Sequence, residues 1–203
     1  MGAGLMNARG GPLVEVGVAE WGLEDESGDT VAVEPFSDGV LLAVVDGIGH
    51  GPEAAAAAST ALQVLVAHPS AHPAELFTAC HDALKETRGA VMSLASIKQG
   101  TMIWAGVGNV GGVLLTSQGR SPARVLASRG GVLGQLLPRL YATEVSVQAG
   151  DTLILATDGV AHQSLQLLNH LAPQANADRI LATARTGNDD ALVLVARYRG
   201  AAG

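Results

Sequence analysis

The chain has 203 residues, 48% of them hydrophobic but only 3% aromatic, with 15% charged residues and a formal net charge of −7. That length suits one domain with a sizeable core, built from Val, Leu, Ile and Ala rather than from rings. The acidic balance removes the electrostatic basis for nucleic-acid binding, and the one cysteine, Cys80, excludes an internal disulfide and fits a reducing, cytoplasmic setting.

Leu13 to Trp21 alternates and is partly β-branched, which predicts a strand. Thr30 to Val33 predicts a second strand. Val40 to Val45, apolar throughout, predicts a third that is buried on both faces. A glycine-rich loop, Gly47 to Gly51, leads to Pro52 and Glu53, residues suited to the first turn of a helix that runs to about Ala67 and stops before Pro69. A second helix is expected from Pro73 to near Gly89, with Cys80 a small buried apolar residue rather than a reactive thiol.

Strand signals then dominate: Met92–Ile97, Met102–Val107, Gly112–Leu115, Arg124–Ala127, Tyr141–Val147 and Asp151–Thr157. The uncharged stretch from Gln99 to Gly119 has the length of a membrane span, but its many glycines suit strands and turns, so no span is expected. Helical segments follow over Gln163–Leu171 and Ala177–Thr186, and Ala191–Tyr198 forms a last strand. No signal peptide, repeat or linker stands out, so residues 1–203 read as one domain. Strands, a helix pair, many strands, helices and a strand describe an α+β sandwich, not an alternating βαβ fold.

Aspartates mark the ends of the most apolar strands. Asp46 ends Leu41–Val45 and Asp158 ends Leu153–Thr157, each followed by glycine; Asp189 and Asp190 directly precede Ala191–Val195. One Asp-Gly is a turn signal. Two of them after near-identical strands, with an acid pair before a third, suggest carboxylates converging at one sheet edge, where cations must offset their repulsion. Such oxygen donors favour Mg²⁺ or Mn²⁺ over zinc. A rival pattern, Gly106-Val107-Gly108-Asn109-Val110-Gly111, fits a dinucleotide fingerprint. That fingerprint needs a helix next and an acid about 20 residues on. Strand-like Gly112–Thr116 follows instead, and Arg129 with two glycines stands where the acid belongs.

Val45-Asp46-Gly47-Ile48-Gly49-His50-Gly51 resembles the Asp-Gly-x-Gly-x-Gly signature of the metal-dependent (PPM) protein phosphatases. Asp151–Val160 is similar to that family's Thr-Asp-Gly segment, Asn188–Ala191 to its terminal Asp pair, and Ser27-Gly28-Asp29 to the early Gly-Asp of its sporulation and stress-response branch. Gly106–Asn109 and Gly130–Gly134 fall at that branch's middle glycine motifs. The matches keep family order from Gly28 to Val195, and the Asp-Gly-Ile-Gly-His-Gly wording resembles the small SpoIIE/RsbX-like, stressosome-phosphatase members.

The resemblance implies a four-layer αββα sandwich and a serine/threonine protein phosphatase that uses a dimetal-activated water, with no covalent phosphoenzyme. It implies two divalent ions, Mn²⁺ or Mg²⁺: Asp46 bridging both, the Gly47 carbonyl and Asp29 on one, Asp158 and Asp189 on the other. Asp190 then stands behind the metal ligands, and Asn109 and His50 face substrate or support the ligands; a loop-capping role for His50 is the plainer alternative. Partners implied are phosphorylated stressosome scaffold (STAS-type) proteins, met by a cytoplasmic monomer. Two departures stand out. Leu192 occupies a position where the family usually has Thr, and Ile48 the position of the larger relatives' general-acid histidine. Arg9 is a phosphate-clamp candidate by position alone. A phosphatase-fold interaction module with weak catalysis is the alternative reading.

Overall fold

A computed structural model describes residues 13–117, 123–162, 165 and 171–200. In chain order they form β1 (Val14–Trp21), β2 (Asp29–Phe36), β3 (Gly39–Gly47), α1 (Pro52–Ala67), α2 (Pro73–Ala83), β4 (Ala90–Lys98), β5 (Thr101–Val107), β6 (Gly111–Leu115), β7 (Ala123–Leu126), β8 (Thr143–Ser146), β9 (Thr152–Ala156), α3 (Pro173–Ala184) and β10 (Ala191–Tyr198). Two five-stranded sheets result, ordered β1-β10-β9-β6-β7 and β2-β3-β4-β5-β8. Every strand pairing within them is antiparallel.

Strand periodicity explains the layers. Along β3, Val40, Leu42 and Val44 point toward the other sheet, where Leu153, Leu155, Leu192 and Leu194 of β9 and β10 meet them. Leu41, Ala43 and Val45 point the other way, onto Ala57, Ala58, Ala61 and Leu65 of α1 and Phe77 and Cys80 of α2. A third cluster packs Ile154, Val193 and Val195 against Ala177, Ile180 and Ala184 of α3. The order is therefore α1/α2, sheet, sheet, α3, and β3 is apolar from Val40 to Val45 because both of its faces are covered there. Small alanines on α1 let that helix lie close to the sheet. Cys80 is fully buried, which pushes its thiol up to about 12, so it is packing and not chemistry.

Several boundaries differ from expectation. α2 stops at Ala83 rather than near Gly89, because Leu84 O accepts the Thr87 N–H and hydroxyl in a tight turn. α3 begins at Pro173, not Ala177, since proline at the first helical position loses no internal hydrogen bond. β2 extends to Phe36 along β3. The expected helix over 163–171 lies mostly outside the described residues, as does Arg9.

The uncharged stretch becomes β5 and β6, and no helix among the described residues is long and apolar enough to cross a membrane. The dinucleotide pattern spans the end of β5 and the start of β6 with no helix following. At Gly112 a Cβ would stand 2.3 Å from the Trp104 ring, so that glycine makes room for the buried indole.

Candidate metal centre

Antiparallel pairing brings Asp29, the first residue of β2, directly opposite Asp46 near the end of β3. The other sheet delivers Thr157 and Asp158 just past β9, and Asp189 and Asp190 just before β10, at the same end of the sandwich. A hydrogen bond ties the sheets together: the Thr157 hydroxyl donates to Asp29 Oδ2 at 2.8 Å and accepts from the Leu192 N–H at 2.9 Å. The hydroxyl absent from position 192 is thus met from across the strand pair by Thr157, which anchors the Leu192 backbone while the leucine side chain joins the core.

Both Asp-Gly glycines are demanded by close approach. A Cβ on Gly47 would lie 2.1 Å from Ala54 O, and one on Gly159 would lie 1.9 Å from Asp190 O. Gly47 therefore seats the start of α1 against the acid-bearing strand end, and Gly159 lets the Asp158 turn press on the Asp189–Asp190 segment.

Each acid has distinct surroundings. Asp190 is buried, and its two oxygens accept the Leu23 and Gly28 N–H groups, each at 2.7 Å. It holds the 22–28 loop that leads into Asp29. Asp189 accepts the N–H of Asp190 at 2.9 Å. Asp158 Oδ2 accepts from the Asn109 amide at 2.5 Å. His50 lies in the exposed loop after Gly49 and pairs with Glu24, Nδ1 to Oε1 at 2.5 Å. His162 packs on Gly111, with Nε2 3.3 Å from the Thr157 carbonyl.

Asp46 and Asp29 carry the electrostatic load. Burial, then the neighbouring charge of Asp29, Asp158, Asp189 and Asp190, pushes Asp46 up to about 8. Burial also raises Asp29, to about 7; the Thr157 hydrogen bond opposes this and the other acids add to it. No lysine, arginine or histidine among the described residues forms an ion pair with any of these five acids. Like charges facing each other across a strand pair and largely shielded from water are destabilising without a counterion. The donors are hard oxygens throughout, so the residues fit divalent cations such as Mg²⁺ or Mn²⁺. They do not already form a closed chelate: no group of three acidic, His or Cys side chains among the described residues could hold an ion as placed. One oxygen of Asp158 is taken by Asn109 and one of Asp189 by backbone.

These pKa shifts predict a pH trend for the metal-free protein. Asp29 and Asp46 are raised from an ordinary 3.8 to about 7 and about 8, so between roughly pH 4 and 8 the folded state binds more protons than the unfolded state. Stability in EDTA therefore falls as pH rises through that window. The melting temperature at pH 8 should be several degrees below that at pH 5.5, given about 2–4 °C per kcal/mol for a chain of this size. Saturating Mn²⁺ should remove the decline, because the cations replace the protons. Differential scanning fluorimetry across pH, with and without metal, measures both trends.

The architecture is that of the PP2C-type serine/threonine phosphatases. One solved chain, described under "The bacterial stressosome: a modular system that has been adapted to control secondary messenger signaling", is 32% identical, with 91% of this chain and 99% of that one covered at a TM-score of 0.82. RsbX in complex with magnesium is 20% identical over 91% of this chain and 95% of its own, at a TM-score of 0.81. The catalytic domain of the phosphatase PstP in complex with two manganese ions is 18% identical over 92% of this chain and 98% of its own, at a TM-score of 0.68. No curated protein sequence matches the chain.

The family model for Stage II sporulation protein E (SpoIIE) matches residues 37–199, and the chain belongs to that family.

Sequence reasoning missed two features of the site. Thr157 appeared only as part of a motif, although its hydroxyl joins the two sheets. The clamp that Asp190 makes on Leu23 and Gly28 links residues more than 160 positions apart, which no local pattern signals.

Proposed function

We propose that the chain is a cytoplasmic, metal-dependent protein phosphatase that removes phosphate from phosphoserine or phosphothreonine on stressosome scaffold (STAS-type) proteins, acting as a monomer. The observation that carries this reading is the facing pair of buried Asp29 and part-buried Asp46, with Asp158, Asp189 and Asp190 close enough to raise the pKa of both. Asp46, Asp29 and the Gly47 carbonyl would hold one cation; Asp158 and Asp189, with Asp46 shared, would hold the second. Bound there, the cations would supply positive charge to the phosphoryl oxygens and lower the pKa of a water so that hydroxide is available as the nucleophile.

The protein's own groups position that chemistry. Thr157 holds the Asp29 carboxylate, Asn109 orients Asp158, and Asp190 fixes the loop from which Asp29 enters its strand. Next to Asp158 a cleft of about 500 Å³, lined by Asn109, Gly111, Gly112, Leu126 and His162 among others, offers a largely apolar wall for the residues flanking the phosphosite. The magnesium complex of RsbX and the two-manganese complex of PstP support the choice of cation, and the link of the 32%-identical chain to the bacterial stressosome supports the choice of partner.

The test is phosphate release from phosphorylated STAS-type scaffold proteins, with p-nitrophenyl phosphate alongside, in Mn²⁺ and in EDTA. Turnover of both substrates only in Mn²⁺ supports the reading. Tight scaffold binding without turnover of either substrate would instead identify an interaction module.

A further inference from the structure

Resting on the phosphatase reading, we propose that Arg88 receives the negative charge of the substrate's phosphoryl group at the mouth of the site, and that Glu53 holds the side chain in place until substrate arrives. A phosphate dianion approaching this end of the molecule meets Asp29, Asp46, Asp158, Asp189 and Asp190, with Glu24, Asp25 and Glu26 on the adjoining loop. Cations bound among the five acids offset the inner charges, but the rim still needs a positive group.

Among the described residues, Arg88 is a cation that stands beside the loop following Asp46. Its guanidinium packs on Gly49, so closely that a Cβ on that glycine would stand 3.1 Å from Nη1. Gly49 is three residues beyond Asp46 in the same loop. The backbone around Arg88 is tied to that loop and to its neighbour: the Gly89 carbonyl accepts the Ile48 N–H at 3.0 Å, and the Arg88 carbonyl accepts from Gln135 Nε2 at 2.6 Å.

The side chain is half exposed and forms an ion pair with Glu53, in the first turn of α1. An exposed pair of this kind is worth little, so a dianion can displace the carboxylate at small cost. A guanidinium offers the planar fork that matches phosphate oxygens two at a time. Five of the other arginines among the described residues are engaged elsewhere: Arg185 over Trp21, Arg129 and Arg139 over Tyr141, Arg197 on the Leu171 carbonyl and Arg199 on Glu15.

The experiment uses the full chain loaded with Mn²⁺ and inorganic phosphate as the probe, with calorimetric binding and p-nitrophenyl phosphate kinetics side by side. Arg88→Ala should weaken phosphate binding about tenfold, equal to about 1.4 kcal/mol, and raise KM by a similar factor. Its kcat should change by less than about threefold, as expected when an interaction serves ground state and transition state alike. Arg88→Lys should recover part of the loss, and Glu53→Gln should tighten phosphate binding about twofold to threefold by freeing the guanidinium.

Mn²⁺ affinity should be unchanged in all three variants. Unaltered phosphate affinity in Arg88→Ala would overturn the proposal, and so would weakened Mn²⁺ binding, which would make Arg88 a structural support of the loop. Failure of the underlying reading looks different: wild-type protein would show neither Mn²⁺-dependent turnover nor phosphate binding.

Discussion

Asp46→Asn should lower Mn²⁺-dependent turnover by on the order of 1,000-fold while raising the stability of the metal-free protein, a pair of effects with opposite signs from one change. Asp46 faces Asp29 across β2 and β3, and burial with neighbouring charge already lifts it to about 8. An amide of the same shape removes the charge that the folded state disfavours, so the penalty disappears. The same amide is a poor partner for a cation shared between two positions, so metal binding and catalysis are lost together. At pH 8 in EDTA the variant should melt roughly 2–6 °C above wild type. Adding Mn²⁺ should then raise wild type well past it. A variant that is inactive and also less stable in EDTA would show that Asp46 is chiefly a structural acid.

The neighbouring acids Asp189 and Asp190 should separate in the opposite sense. Asp190 is buried and satisfies two backbone donors, Leu23 and Gly28. Asp190→Ala strands both N–H groups, at about 1–3 kcal/mol each, and releases the loop before Asp29. The expected loss is roughly 2–5 kcal/mol, or a melting point lower by about 5–15 °C. Asp189 is only partly buried and bonds to the N–H of the next residue, so Asp189→Ala should cost little stability yet remove most activity. Thermal melts and turnover measured on both variants check the contrast. Equal destabilisation would contradict the division of labour between the two residues.

Much of this site was legible because strand ends are legible. An unbroken apolar run such as Leu41–Val45 must be covered on both faces, and β3 is: even positions meet the second sheet, odd positions the helices. The polar residue that closes such a run sits at a sheet edge, which put Asp46 and Asp158 at one end of the sandwich. What the chain order hid were bonds made across it. Thr157 reaches Asp29 from 128 positions away, and the Asp190 clamp on the 22–28 loop has no local signature. Leu192 looked like a lost support, yet its backbone N–H is held by the Thr157 hydroxyl. His50, between the positive-φ Gly49 and Gly51, pairs with Glu24, a contact 26 positions back along the chain that no local pattern signals. Arg88 was overlooked because it belongs to the α2–β4 connection, which the Gly89–Ile48 hydrogen bond and packing on Gly49 bring beside the loop after Asp46.

Whether these aspartates gather divalent cations is tested most directly by anomalous scattering from crystals of the wild-type chain grown in Mn²⁺. Two peaks should appear between the ends of β3 and β9, with Asp46 touching both and Asp158 and Asp189 on one. No peak at saturating Mn²⁺, or peaks that leave Asp46 uncoordinated, would contradict the account.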